Sequence, residues 1–404
     1  MKPSTLKRAA LLGLLALLWG CQPNTTATAA APQLPTHTSD WKEYYQQSQQ
    51  LRQIDRDFLQ AELASIKLSE ARLPSKLRNA GFDPQQPLEW YRSSEARALA
   101  EAIMSFQTPS GGWSKNTDMS RPRTPGTAFG TEAGYIPTFD NDATIAQLWF
   151  LAHIRHATDN PAYEDAFYRG VALLLAAQYP NGGWPQNYPL TGSYHDHITL
   201  NDEVLTNILS LLKQAAQAEP PFDFVKAEVR QLLEQSVSRA LLLIPQMQVR
   251  NSEGELTVWG AQHHARSLQP TAARKYEPAS LSSSESAHLL GFLMTVEKPS
   301  EELIEAIHSG VAWLKRHAIN EARWERGTAL LVADPQAKGI WPRFMDIETG
   351  RGLFGDRDGK VYDELGEISA ERLRGYGWYS TAPLNTFKRY QKWAKRFPRT
   401  ATHQ

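Results

Sequence analysis

Two acidic clusters, Asp140-Asn141-Asp142 and Asn201-Asp202-Glu203, each stand where an apolar helical run begins. An Asp or Asn at such a place ordinarily caps the helix by accepting hydrogen bonds from its free N–H groups. Two carboxylate clusters brought to one face would do more, because they repel unless a cation or an arginine lies between them, and oxygen donors of this kind suit calcium. Basic residues gather later in the chain, with His263, His264, Arg266, Arg274 and Lys275 in one segment and Arg343, Arg351, Arg357 and Lys360 in another. Acidic clusters combined with several arginines would suit a carboxylated polymer: guanidinium groups grip sugar carboxylates with two parallel hydrogen bonds, and a cation bridges others to the protein. The simpler use of those arginines is to staple loops through Asp346, Asp356 and Asp358, and this is the role expected of Arg351. His195 and His197 have no third ligand at a recognisable spacing, so neither they nor His263-His264 are expected to form a transition-metal site.

Such residues must be carried by something repetitive. Gln107–Asn116 reads QTPSGGWSKN and Gln178–Asn187 reads QYPNGGWPQN, so a Gln-x-x-x-Gly-Gly-Trp signature recurs after 71 residues. That period fits two packed helices with their two connections, as in a helical toroid or solenoid. The GVALL segment at Gly170 is echoed by GVAWL at Gly310, about two periods later. The glycines are expected to stop helices, the glutamines to cap helix ends and the tryptophans to wedge between repeats.

Helical periodicity over 41–73 predicts one long amphipathic helix, and it returns at 94–107, 141–157, 161–178, 201–217, 224–246, 283–296 and 300–318. Short proline-marked connections alternate with long ones spanning 107–140, 178–200, 247–282 and 319–365. If the helices run up and down in turn, all four long connections meet at one end. Loops of this length are uncommon unless they carry function, so that end is the expected active-site face. The expected fold is all-α, an irregular (α/α) toroid of about three helical hairpins with a cleft at one end, over residues 41–395, followed by a tail from 396 to 404.

The chain has 404 residues with 43 basic and 43 acidic side chains and is 41% hydrophobic. This is enough to build a sizeable core and offers no global attraction to nucleic acid. Lys2, Lys7 and Arg8 precede an apolar run from Ala9 to Trp19, which ends at Cys21, the single cysteine. This reads as a lipoprotein-type signal over 1–20, with Cys21 as the lipidated residue and the only link to a membrane. Residues 21–40, rich in Thr, Ala and Pro, form an expected tether. Export across the inner membrane and attachment to the outer membrane follow as expectations.

The ordered series GGWSKN, TFDNDAT, GGWPQN, LNDEV, RKYEPASLSSSES, WPRFMD and GDRDG, spanning Phe106 to Tyr379, resembles the pectate lyases of polysaccharide lyase family ten. The resemblance implies an irregular (α/α) toroid whose cleft takes polygalacturonate, the de-esterified form of pectin, and cleaves it by calcium-assisted β-elimination. Asp140, Asn141 and Asp202 match the acidic cluster that contacts Ca2+ and the substrate carboxylate, with Asp140 and Asp202 as metal ligands and Asn141 toward substrate. Arg274 matches the Brønsted base, Arg343 and Arg357 match arginines that clasp substrate carboxylates, and Lys115 and Asn116 would line the same cleft. An arginine base requires a guanidinium whose pKa, ordinarily above about 12, is lowered by burial and neighbouring positive charge. Two other functions fit the residues less fully: a toroidal glycoside hydrolase using Asp140 and Asp202 as paired acids, and a lipid-anchored protein that captures pectin without cleaving it. A terpene cyclase, suggested by the Trp signature, is disfavoured by the lack of its Asp-rich motifs.

Overall fold

The computed structural model describes residues 34–399, apart from 36, 133 and 326. The signal segment, Cys21, most of the tether and the end of the tail lie outside the described residues. Ten α-helices are present among the described residues: α1 (Trp41–Ser65), α2 (Ser94–Ser105), α3 (Ile145–Thr158), α4 (Pro161–Ala177), α5 (Val204–Gln217), α6 (Ala227–Met247), α7 (Ser283–Leu293), α8 (Glu301–Arg316), α9 (Ala370–Gly375) and α10 (Ala382–Arg396). None of them is long and apolar enough to cross a membrane. Among the described residues, strands occur only as short two-stranded pairs in the loops.

The helices pair as α3/α4, α5/α6 and α7/α8, and α3, α5 and α7 pack in succession, which is the irregular toroid of three hairpins. Each short connection has a local chemical cause. Between α3 and α4, Asp159 takes a left-handed conformation, the Asn160 side chain caps the next helix and Pro161 occupies its first turn, where no N–H is needed. Between α7 and α8, Ser300 accepts from the Leu303 N–H. The first helix is shorter than its periodicity predicts, ending at Ser65 instead of about residue 73. Beyond it, residues 71–76 leave the helix to bridge, through Arg72 and Lys76, to Thr127 and Thr117 of the first long loop.

The repeated Trp signature has a defined job, and it is shared by more loops than the sequence shows. Trp113, Trp184, Trp259 and Trp341 are all fully buried. Each indole N–H donates to a carbonyl near the end of the preceding helix: Ile103 in α2 (2.7 Å), Leu174 in α4 (2.8 Å), Ile244 in α6 (2.9 Å) and Leu314 in α8 (2.7 Å). The tryptophans therefore satisfy the free carbonyls of helix ends, the task expected of the glutamines. The glutamines instead tie neighbouring repeats together. The Gln107 amide bonds the Gly111 and Ala166 carbonyls and accepts from Arg169, and Gln178 repeats this with Gly182, Ser236 and Arg239. Gly111 and Gly182 have φ of +111° and +104°, and a Cβ there would come within 2.3 Å of the Arg169 carbonyl or 2.7 Å of that of Arg239. Both features demand glycine.

Helix α10 lies outside the periodic segments of the sequence. It packs on α7 and α8 and completes the third repeat, yet it buries only Pro383, Thr386 and Trp393. Its sequence, APLNTFKRYQKWAKR, is polar on average yet carries Leu384, Phe387, Tyr390, Trp393 and Ala394 at helical spacing, a stripe that packs on the core and that the periodicity reading passes over.

Candidate active site

The first two long loops each end in a tight 3-10 turn, Asp140–Asp142 and Asn201–Glu203, and these two turns pack against each other. Asn141 and Asp142 in one, and Asp202 and Glu203 in the other, hold positive φ. Such strain in non-glycine residues persists only where surrounding structure enforces it, and it is concentrated at working sites. The result is that the Asp140 and Asp202 carboxylates lie within hydrogen-bonding reach of each other.

Asp140 is buried and pairs with the Lys115 ammonium, while its Oδ1 atom is buried with no hydrogen-bond partner among the described residues. Burial opposes its ionisation, but Lys115 outweighs it and holds the carboxyl below the usual range. Asp202 keeps an open edge toward solvent and accepts from the Asn201 amide at 2.7 Å. Desolvation on its inner side and the adjacent Asp140 charge push its carboxyl up to about 6. Two adjacent carboxylates whose pKa values are driven apart carry more negative charge than Lys115 and Arg343 offset. Contact also removes the gap of at least about 5 Å that glycosidase acid pairs keep between them.

The third and fourth long loops supply the guanidinium groups. Arg274 is gripped at two nitrogens by Glu277, with Nε to Oε2 at 2.9 Å and Nη2 to Oε1 in close contact, while Tyr376 donates to the same Oε1 at 2.7 Å. Arg343 reaches Glu285 at 2.6 Å and the Asn201 Oδ1 at 2.8 Å, which joins the basic side of the cleft to the acidic turn. Two tyrosine rings hold this array together. Arg274 and Arg343 lie 6.0 and 5.1 Å from the Tyr376 ring centre, and Arg274, Arg357 and Arg372 lie 5.1, 5.6 and 4.6 Å from that of Tyr276. Electron-rich ring faces let like-charged guanidinium groups share a small volume.

The predicted residues thus converge. Lys115 pairs with Asp140; Asn116 and Asn141 line one cavity of about 410 Å³ with Lys115; Asp202 and Arg343 line a second of about 250 Å³. Arg357 stands at the outer edge, exposed and paired with Glu371 at 2.7 and 3.0 Å. Arg266 does not join them: it stacks 5.1 Å from the ring of Trp41 in α1, which leaves Arg274 as the third-loop arginine in the cleft. His263 is buried as a neutral structural ring, accepting from Gly260 and donating to the Leu268 carbonyl. The arginines do not staple to Asp346, Asp356 or Asp358, which cap turns by accepting from Thr349, Ser369 and Lys360 N–H groups respectively.

One expectation is reversed. Burial does oppose charge on Arg274, but the hydrogen bonds and charge of Glu277 outweigh it and raise the guanidinium above its ordinary value. Sequence reasoning also passes over the acidic partners Glu277, Glu285 and Glu371. Glu285 could have been found, since it sits in the first turn of α7 just as Asp140 and Asp202 stand at the entries of α3 and α5.

A ring of helical hairpins with two touching carboxylates facing a rank of arginines defines a polysaccharide lyase, and comparison with known proteins supports this. The profile of the pectic acid lyase family matches residues 107–386. A family 10 polysaccharide lyase from Cellvibrio cellulosa is 34% identical and superposes with a TM-score of 0.67 over 76% of this chain and 94% of its own. A mutant of that lyase in complex with trigalacturonic acid matches equally well, over 95% of its length. No curated protein matched the sequence. The chain belongs to the pectic acid lyase family, the family 10 polysaccharide lyases.

Proposed function

We propose that this enzyme cleaves polygalacturonate by calcium-assisted β-elimination, with Arg274 as Brønsted base, releasing 4,5-unsaturated oligogalacturonides. The observation that carries this reading is the contact between Asp140 and Asp202 opposite Arg274 and Arg343, a pairing of metal-ready oxygens with carboxylate-ready guanidinium groups. The trigalacturonic acid bound by the mutant Cellvibrio lyase supports the choice of substrate.

The donor set fits calcium. Asp140 Oδ1 is a buried oxygen with no partner among the described residues, and the Asp140–Asp202 repulsion is what a divalent cation relieves. No cluster of three or more His, Cys, Asp or Glu side chains forms a ready cage among the described residues. Asp140 and Asp202 would therefore hold the ion at an open site that leaves room for a substrate oxygen. Bound there, calcium would neutralise the C6 carboxylate of a galacturonate and make its C5 proton more acidic.

The protein's own groups do the rest. Arg343 and Arg357 hold sugar carboxylates, and each is kept extended in the free enzyme by a protein carboxylate, Glu285 or Glu371. Glu277 keeps protons on Nε and Nη2 of Arg274, so Nη1, which has no partner among the described residues, is the nitrogen that gives up its proton and then receives that of C5. Because Glu277 favours the charged guanidinium, the basic form is scarce at neutral pH and turnover rises into the alkaline range.

Polygalacturonate should yield an ultraviolet-absorbing unsaturated uronide in the presence of calcium and none with excess chelator. Reducing ends without that absorbance would instead establish hydrolysis. We propose also that Cys21 carries a lipid that anchors the enzyme to the outer membrane. Cys21→Ser should move the protein from the detergent phase to the aqueous phase in a phase-partition assay.

A further inference from the structure

Elimination leaves one task unassigned: the departing glycosidic oxygen needs a proton. We propose that Tyr194 supplies it, acting as the general acid opposite Arg274. The proposal rests on the lyase reading above.

Placement is the first argument. The loop that carries Tyr194 is bonded to the acidic loop on one side and to the basic loop on the other. On the acidic side, the His195 carbonyl accepts from Gln186 N–H (2.8 Å), and the Gln186 carbonyl accepts from Phe139 N–H (2.9 Å), the residue before Asp140. On the basic side, Ile198–Thr199 pairs antiparallel with Gln262–His263. The bridging brings the phenol within the electrostatic reach of Arg274, Glu277, Lys115 and Asp140, the four groups that flank the proposed cleavage point. Its ring lies tilted by 30° against that of His195 with centroids 3.9 Å apart, and His195 is fixed in turn by the Ser193 hydroxyl at 2.8 Å.

Availability is the second. Other donors in the cleft are engaged: Lys115 by Asp140 and the Tyr376 hydroxyl by Glu277. The half-buried Tyr194 hydroxyl has no hydrogen-bond partner among the described residues. Burial raises its pKa above the ordinary phenol value, while Arg274 and Lys115 act to lower it and Glu277 and Asp140 to raise it, so the hydroxyl keeps its proton through the neutral range. His195 is unsuited, because burial and Lys115 lower its pKa and leave a neutral ring, a far weaker acid than a phenol.

The step balances. Arg274 takes the C5 proton, and the electrons of that C–H bond form the C4–C5 double bond. The C4–O4 bond breaks with its pair on oxygen, which takes the Tyr194 proton and leaves as the hemiacetal hydroxyl of the neighbouring sugar. The tyrosinate regains a proton from solvent, and Arg274 releases one.

Tyr194→Phe removes only the hydroxyl. It should lower kcat roughly 100-fold or more on polygalacturonate while KM and polymer retention stay near wild type, the range expected for loss of a general acid. Turnover of Tyr194→Phe within a few-fold of wild type would overturn the proposal, and a raised KM in Tyr194→Ala alone would make the ring a stacking platform instead. Arg274→Ala measured alongside separates the two assignments. Retained turnover there removes the base and leaves the acid standing, whereas retained turnover in Tyr194→Phe removes the acid whatever Arg274→Ala does.

Discussion

The first two long loops and the last two share one frame and do opposite electrostatic work. All four set a buried tryptophan against the end of the preceding helix through an indole hydrogen bond of 2.7–2.9 Å. Loops one and two then end in strained turns that present Asp140 and Asp202, whereas loops three and four present Arg274, Arg343 and Arg357. The repeat is therefore a scaffold rule, and the chemistry is written on top of it. Four cations of the cleft are paired with carboxylates: Lys115 with Asp140, Arg274 with Glu277, Arg343 with Glu285, and Arg357 with Glu371, which Arg372 shares. A cleft built for an anionic polymer thus keeps its charges paired and its side chains extended until substrate arrives.

The contrast can be broken most severely at its two chemical ends. Arg274→Ala and Asp202→Ala should each reduce turnover by roughly 10³-fold, at the upper end of losses seen for single acid–base or electrostatic groups. Polymer retention should survive in Arg274→Ala, and the calcium concentration needed for activity should rise in Asp202→Ala. Near-normal rates in either variant would remove that residue from the chemistry.

Next in size is Glu285→Ala, which leaves the largely enclosed Arg343 without its carboxylate. Breaking one side of a buried pair costs about 3–5 kcal/mol, and urea denaturation should show most of it. A loss below about 1 kcal/mol would mean that Arg343 turns readily to solvent and that loop four is less fixed than the acidic loops.

The shared frame makes a different prediction. Trp113→Phe, Trp184→Phe, Trp259→Phe and Trp341→Phe each remove an indole hydrogen bond and part of a buried ring. Each should cost about 1–3 kcal/mol by the same measurement. Similar losses at Trp113 and Trp341 would establish one frame for all four loops, and a negligible loss at Trp341 would confine it to the first three.

The smallest expected effect sharpens the base assignment. Glu277 holds the Arg274 guanidinium above its ordinary pKa, so Glu277→Gln should lower that pKa and increase the neutral fraction at any given pH. The rising limb of kcat against pH should then move toward neutrality. A limb that stays in place would assign it to another group.

How much of this was legible in the chain depends on how local the governing interaction is. Eight of the helices found, α1 to α8, lie where 3.6-residue periodicity places them, with α1 shortened at its end, because that pattern is set within a few turns of chain. Helix α10 was equally legible, since Leu384, Phe387, Tyr390, Trp393 and Ala394 recur at helical spacing, but its many Lys and Arg residues drew the reading away from that stripe. Asp140 and Asp202 were visible because each opens a predicted helix. The third and fourth tryptophans were obscured, since Trp259 lacks the double glycine and Trp341 follows a hairpin formed by Ala322–Glu325 and Leu330–Ala333.

By itself, then, the sequence determined the repeating helices, the end at which the long loops gather, and the residue types each loop brings there. Only the tertiary structure decided which carboxylate meets which guanidinium, and with it the direction in which each group's acidity moves. The physical reason is one of range. Helix periodicity and capping act over a few residues. The Arg343–Glu285 ion pair, 58 residues apart, and the Tyr376–Glu277 hydrogen bond, 99 residues apart, exist only because the hairpins fold their loops into one cleft.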